Sequence, residues 1–541
     1  MDPRPEVTRR DALKVGALGA AALTIPFLPG PLAAKRASEL AENRIPRPYT
    51  LTFRKPPVLQ PVGRDAGRDV YEITQSQVKR EILPGIKTTL FAYNGTVPGP
   101  TLRVQRRAPI IVRQINKLPA KHPSLGYVPW TSTHLHGAPS LPQYDGYAND
   151  ISLPGQYKDY FYDNLEPGRT LWYHDHGVHH TSENVYMGLA GQYHVLDGAE
   201  NQFGLPRGKY DVPLIVSDVS FTGSGELLFD NHSDSGHMGD VILVNGVPWP
   251  LMTVEPRKYR FRLLVATNAR SFRFRLSNGA PLTVIGTDGG LVEKPAPVAE
   301  LLVGMAERYD VVVDFAPYRG QRIELTNQGV DNTIEYDDTD KVMAFQVGQT
   351  VTDPTNNKLP ALLLKSPVMA LEPADAVETR RLRFERQGSE WVVDGHIWDD
   401  VVRSEFRKAI ADPGIGDVEV WELENTSGGW FHPIHVHLTD FRILDRNGRA
   451  PRPQEQGPKD TVYLGEGEVV RIIAEFGALI TPPGVPEIRR AGRYMIHCHN
   501  VTHEDHDMMT QFWVGGEDAG PDPITADPPK NLPAPPIPPL V

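Results

Sequence analysis

The sequence predicts an all-β protein assembled from three modules, and three observations carry that expectation. Pro 51 and Gly 48 among 541 residues lie well above ordinary usage, which favours many short strands joined by turns. Apolar residues recur in short β-branched and aromatic runs bounded by Gly, Pro and Asn, and no long stretch carries the period of an amphipathic helix. Two composition breaks, Asp197 to Pro213 and around Gln349 to Ala374, divide the chain into segments of about 45–200, 205–350 and 375–516. Regularly spaced strands with turn signals imply β-sandwich or barrel modules.

The first element is an address. Thr8-Arg9-Arg10-Asp11-Ala12-Leu13-Lys14 precedes an apolar run from Val15 to Leu28 and then Pro31-Leu32-Ala33-Ala34. This pattern reads as a twin-arginine export signal over residues 1–34, although Ala12 stands where a bulkier residue is often found. An uncleaved anchor is the alternative, but the run is shorter than the ~20 apolar residues a spanning helix needs. The expectation is therefore export by the twin-arginine machinery to the periplasm, cell surface or medium, with no stable membrane span after processing.

A Pro-rich lead from Arg44 to Pro61 follows, and strand signals begin after it. Thr88 to Tyr93 and Ala108 to Arg113 are short β-rich runs in the first module. In the second, Lys258-Tyr259-Arg260-Phe261-Arg262-Leu263 alternates polar and apolar as a half-buried strand does, and Tyr309 to Phe315 is a further strand. Glu468 to Ile473 continues the pattern in the third. Residues 517–541 are dominated by Pro, Asp and Ala and read as a disordered or extended tail.

Composition narrows the function. A hydrophobic share of 40% and a charged share of 23% fit a soluble globular protein. The net charge of −11 leaves no basic excess to displace counterions from phosphate, which argues against a nucleic-acid or anionic-membrane partner. Cys498 is the single cysteine, so no intrachain disulfide exists. A lone cysteine is ordinarily an inert buried residue. Its neighbours say otherwise.

Four short segments carry the chemistry: His134-Leu135-His136-Gly137, His174-Asp175-His176-Gly177, His432-Pro433-Ile434-His435-Val436-His437, and His497-Cys498-His499 followed by His503 and Met508. With 18 His in the chain, chance supplies roughly 0.6 His-x-His pairs, and each of the four segments holds one. In a strand, residues i and i+2 share a face, so each pair presents two imidazoles side by side. Imidazole suits copper, and neutral nitrogens bind closely spaced cations without adding repulsion of their own. Within one strand Cys498 points away from His497 and His499. A metal on the thiolate therefore lies on one side of the backbone and a second metal group on the other, joined by two short covalent paths. His432 and His503 could complete a trigonal His₂Cys site, with Met508 as the long axial thioether or Met509 in its place.

These residues resemble the multicopper oxidases, in particular the branch of bacterial spore-coat laccases, bilirubin oxidases and phenoxazinone synthases. The resemblance runs through most of the chain and includes Asn94-Gly95-Thr96-Val97-Pro98-Gly99-Pro100, Trp172-Tyr173-His174-Asp175-His176, Asn184 to Gly191, and His503-Glu504-Asp505-His506-Asp507-Met508-Met509. It implies three cupredoxin-like Greek-key β-barrel domains and four coppers per chain. His432, Cys498, His503 and Met508 would hold the type-1 ion, His134 and His435 the type-2 ion, and His136, His174, His176, His437, His497 and His499 the type-3 pair. The trinuclear site would then lie where the first and third modules meet. Electrons from a phenolic, aminophenolic or bilirubin-like donor would enter at His503 if its edge is exposed, pass Cys498 and reduce O₂ to water. Glu504 and Asp145 match relay carboxylates of that branch; the bland readings are a solvated side chain and a turn residue.

Other histidines make weaker claims. His179 and His180 read as loop residues, His232, His237 and Met238 as a solvated loop that could bind an extra copper, and His506 has no assignment. Two competing functions stand beside an organic-donor oxidase. One is a cuprous-ion oxidase, disfavoured by only 10 Met and no Met-rich insertion. The other is an exported copper-binding scaffold without turnover.

Overall fold

Short apolar runs between turn residues pair into three successive two-sheet sandwiches in a computed structural model, which describes residues 36–230, 233, 235–479 and 488–540. The expected export signal and His232 lie outside the described residues. In the first sandwich a six-stranded sheet packs over a four-stranded one, which holds β1 (Thr133–His136) beside β2 (Arg169–Asp175). The second sandwich pairs an eight-stranded with a five-stranded sheet around Trp249, Phe261, Phe274, Phe315 and Phe345. In the third, a five-stranded sheet covers a four-stranded one ordered Thr461–Leu464, β3 (His432–Val436), β4 (Gly492–Cys498) and Met509–Val514.

The sandwiches repeat one arrangement. Arg68–Glu81 lies parallel to Ile110–Lys117, Asp211–Phe221 to Lys258–Val265, and Glu378–Gln387 to Val418–Asn425. Each second strand then pairs antiparallel with the next: Gln156–Tyr162, Arg308–Asp314 and Val469–Glu475. Parallel neighbours need a crossover, so each sandwich is wound in the same Greek-key manner rather than as a simple meander.

Two short helices tie the sandwiches together. The Asp505 carboxylate at the end of α2 (Val501–Asp505) accepts the Thr181 and Ser182 backbone N–H at 3.0 and 2.7 Å, capping α1 (Thr181–Tyr186) from another module. From the second sandwich Asn268 donates to Ser182 O at 2.9 Å, and its own carbonyl accepts the Val501 N–H at 3.1 Å.

One expectation needs correction. Lys258–Val265 is buried on both faces rather than on one, because Arg260 and Arg262 are neutralised in place by Asp310 and Asp211. Of the two readings of the C-terminal residues, the structure shows the extended one. Lys530–Asn531 adds an edge strand beside Gln156–Tyr162, Arg113 Nη1 donates to Pro535 O at 2.6 Å, and the Arg64 N–H donates to Pro538 O at 2.9 Å. Pro-rich composition gives no apolar period, but proline enters an extended strap with little entropy left to lose, and a few hydrogen bonds hold it.

Candidate metal centres

Register builds the first centre. In the first sandwich His134 sits opposite His174 and His136 opposite Trp172; in the third, His435 sits opposite His497. Continuing each strand by one residue adds His176, His437 and His499, so four imidazoles from each of these two sandwiches converge. All eight are at most 1% exposed. His136 and His435 stack at 3.6 Å, and the Trp172 indole stacks on His174 at 4.1 Å, closing one side of the cavity with carbon.

Hydrogen bonds decide which nitrogens face inward. Backbone carbonyls only accept, so Nδ1 carries the proton in His134 (toward Asp145 O), His174 (toward Asp175 O, 2.8 Å) and His435 (toward Asp460 O, 2.8 Å). The His437 Nδ1 is 2.8 Å from Asp145 Oδ2, and the Glu504 carboxylate lies 3.0 Å from His497 Nδ1 and 3.4 Å from His176 Nδ1. The Nε2 lone pairs then meet head-on: His134 to His435 at 3.4 Å, and His497 to both His176 and His437 at 3.2 Å. His136 is reversed. Its Nε2 is 3.0 Å from Asp460 Oδ1 and from Thr461 Oγ1, and its Nδ1 is left without a partner.

Each of three acidic residues thus lies against a pair of rings. Asp145 meets His437 with its carboxylate and His134 through its carbonyl, the Glu504 carboxylate lies beside His176 and His497, and Asp460 meets His136 with its carboxylate and His435 through its carbonyl. The sequence singled out Asp145 and Glu504 but not Asp460, whose Lys459-Asp460-Thr461 setting looks like any polar turn. Burial alone lifts the Asp145 carboxyl well above its usual range. Burial also acts to raise Glu504, but the His497 and His176 imidazoles outweigh it and bring the carboxyl down to about 2.

The second centre lies on the other face of β4. The Cys498 Sγ is 3.3 Å from His432 Nδ1 and 3.7 Å from His503 Nδ1, and the two Nδ1 atoms are 3.3 Å apart. Met508 shares the apolar core that holds Cys498, whereas Met509 packs in a separate cluster against Tyr147 and Trp398. That difference separates two methionines which residue type could not. The expected exposed edge of His503 is absent: the ring is 1% exposed, stacked under Trp391 at 4.2 Å, with the half-buried Trp430 beyond.

The donor set fits copper. Facing lone pairs 3.2–3.4 Å apart repel unless a cation lies among them, and the unpartnered His136 Nδ1, His174 Nε2 and one of the two unpartnered His499 nitrogens are buried acceptors with nothing else to bind. Burial brings the imidazoles of His174 and His432 down to about 3 and that of His176 to about 4, so these rings are neutral. Burial likewise pushes the Cys498 thiol far up, so a thiolate there requires a bound cation. Among the described residues, five triads of ligand atoms lie within 4.8 Å of one another, including His134–His435–His437, His176–His437–His497 and His432–Cys498–His503. Nitrogen with thiolate in one trigonal set and imidazole alone in the other is a copper chemistry.

The remaining histidines are occupied elsewhere. His180 stacks on Tyr127 at 3.7 Å, and His179 adopts a positive φ of 64° in the loop before it. His237 meets Tyr186 OH through Nε2 at 3.1 Å and accepts the Asp230 N–H at Nδ1, while the Met238 sulfur accepts the Ile334 N–H. An extra copper on that loop has no described ligand pair.

Family profiles described as multicopper oxidase match residues 74–200, 185–328 and 386–518. The chain is 40% identical over 489 residues to a bilirubin oxidase of Albifimbria verrucaria, covering 86% of this chain and 81% of that protein. It is 34% identical to a laccase of Bacillus subtilis, covering 84% and 96%. The crystal structure of the McoA multicopper oxidase from Aquifex aeolicus superposes with a TM-score of 0.75 at 28% identity, covering 86% of this chain and 99% of that one.

Proposed function

This chain belongs to the multicopper oxidase family, and from that premise we propose which residues do its chemistry, which donor they accept and where it acts. The protein is a copper-dependent, laccase-like oxidoreductase. Four one-electron oxidations of a reducing substrate are coupled to the consumption of one O₂ and four protons, giving two waters. Its cofactor is copper of types 1, 2 and 3. Bound copper supplies the one-electron redox changes and the dioxygen binding that no side chain provides.

We assign His432, Cys498, His503 and Met508 to the type-1 ion, His134 and His435 to type 2, and His136, His174, His176, His437, His497 and His499 to type 3. The observation that carries this assignment is β4, where Cys498 faces the module core and His497 and His499 face the opposite cavity. Cys498 is bonded through the backbone to both neighbours, so charge crosses a single chain rather than a gap. Asp145 and Glu504 fix Nδ1 protons on their imidazoles, keep Nε2 turned inward, and stand where protons are consumed. Burial of every ligand excludes bulk water from both centres.

The donor is an aromatic reductant: a phenol, an aminophenol or a bilirubin-like pigment. Trp391 covers His503, and the half-buried Trp430 meets Trp391 edge to face at 5.3 Å, so the way in is lined with indole that favours a flat aromatic partner. The protein is exported by the twin-arginine route and works outside the cytoplasm; no described helix is long and apolar enough to cross a membrane.

The test is oxygen uptake by copper-loaded protein with dimethoxyphenol, an o-aminophenol, bilirubin and Cu(I) as donors. Turnover on the aromatic donors with one O₂ per four electrons is the expected result. Turnover on Cu(I) alone would overturn the donor class, and none on any donor would overturn the site assignment. N-terminal sequencing of secreted protein, with Arg9 and Arg10 both changed to Lys as control, tests the export route.

A further inference from the structure

The middle sandwich contributes none of the proposed copper ligands, yet one of its side chains reaches the trinuclear site. Arg308 opens the strand Arg308–Asp314 and is fully buried. Its Nη1 and Nη2 donate to Asp460 Oδ1 and Oδ2 at 2.6 and 2.5 Å. The remaining N–H groups are satisfied too: Nε by Thr170 O at 3.0 Å, Nη1 by Ala306 O at 3.2 Å and Nη2 by Asp288 O at 3.4 Å. All five donors of the guanidinium are placed, which fixes its plane.

Asp460 has little freedom left. Its Oδ1 accepts from Arg308, from Thr461 Oγ1 at 2.9 Å and from His136 Nε2 at 3.0 Å, while Oδ2 is held by Arg308. The neighbouring cation, Lys459, is directed instead to Asp288 at 2.8 Å and Glu307 at 3.1 Å. Gly137, at a φ of +87°, lets the strand end lie against the pair, since a Cβ there would collide with Arg308 Nη2 and Asp460 Oδ2.

We infer that Arg308 is a positioning residue for the trinuclear site: its two-pronged hold on Asp460 places Oδ1 to take the Nε2 proton of His136 and so turns Nδ1 of that ring toward copper. Of the eight cluster rings His136 is the one whose Nε2 is held by a carboxylate, and His499 has both nitrogens unpartnered. A ring in that orientation needs an acceptor behind Nε2 that cannot swing away. Without the fork, Asp460 Oδ2 loses its partner, the carboxylate rotates, and His136 loses the constraint that selects its ligating nitrogen. The inference rests on the copper reading above but is separable from it, because nothing in the type-1 set touches Arg308.

The experiment compares copper-loaded, full-length wild type with Arg308→Met and Arg308→Lys under increasing chelator. Total copper per chain, the blue absorption of type 1 and the near-ultraviolet absorption of the type-3 pair are read together. Arg308→Met is expected to keep the blue band and to lose type-3 copper at roughly 10- to 100-fold lower chelator, the usual effect of removing an outer partner of a ligand. Arg308→Lys keeps the charge but not the fork, and is expected to keep the blue band with an altered type-3 absorption. Wild-type copper retention with an unchanged type-3 absorption in either variant would overturn the inference. Should Arg308→Met fail to fold, Arg308→Lys decides by the same readings. A wild-type protein lacking the blue band would instead sink the copper reading itself.

Discussion

Replacing Glu504 by Gln separates the two half-reactions. The carboxylate stands beside two imidazoles whose Nε2 atoms face each other at 3.2 Å, with its oxygens 3.0 Å from His497 Nδ1 and 3.4 Å from His176 Nδ1. A carboxamide has the same shape but one accepting oxygen, and its NH₂ meets the second Nδ1–H donor to donor. A buried donor left unsatisfied costs about 1–3 kcal/mol, which is roughly 5- to 150-fold in rate at 1.4 kcal/mol per decade. Loss of a carboxylate able to relay protons to the cluster removes a further ~10²–10⁴. Reoxidation by O₂ should therefore slow at least ~100-fold. Reduction of the type-1 centre should change little, because the Glu504 carboxylate serves rings of the other centre. Stopped-flow absorbance of the blue band measures both: anaerobic reduction by dimethoxyphenol, then mixing of reduced protein with oxygenated buffer. Equal slowing of both phases, or reoxidation at the wild-type rate, would refute the reasoning.

Cys498→Ser should abolish the blue band and turnover together while the protein still folds; a blue, active variant would contradict the placement of the thiolate. Burial holds His237 neutral and brings its pKa from 6.5 down to about 4, so the unfolded chain takes up that proton first as pH falls. Stability is then full above about pH 6.5 and drains toward pH 4 at ~1.4 kcal/mol per unit. In urea titrations the gap between wild type and His237→Gln should narrow by about 2–3 kcal/mol from pH 7 to 4.5, and a constant gap would count against it. Ending the chain after Asp527 removes the added strand and the Arg113 and Arg64 contacts, and should cost about 2–4 kcal/mol at ~1 kcal/mol per hydrogen bond. Unchanged urea midpoints would mean that the strap is ornamental.

Much of the centre is legible in the sequence because its logic is local. A two-residue period puts His134 with His136 and His497 with His499 on shared faces, and turns Cys498 to the other; no tertiary information is needed for that. What is not legible depends on partners far along the chain. Asp460 becomes a site residue only because His136, 324 residues away, is brought against it, and Arg308 reaches it from a third module. The covering of His503 by Trp391 is of the same kind, since the indole comes from a strand more than a hundred residues earlier. The choice between Met508 and Met509 turns on which cluster each enters, which adjacent identical residues cannot reveal. Arg260 and Arg262 were expected to face water on composition, and the ion pairs that bury them are again non-local.

The edge strand formed by Lys530–Asn531 carries a consequence for biogenesis. A ribosome makes the Gln156–Tyr162 strand hundreds of residues before the segment that caps it. Throughout that interval the nascent first sheet presents an open row of amide and carbonyl groups, the arrangement through which partly made chains pair with one another. Closure arrives only once Lys530–Asn531 has been made, so a strand of the first module is sealed by one synthesised hundreds of residues later.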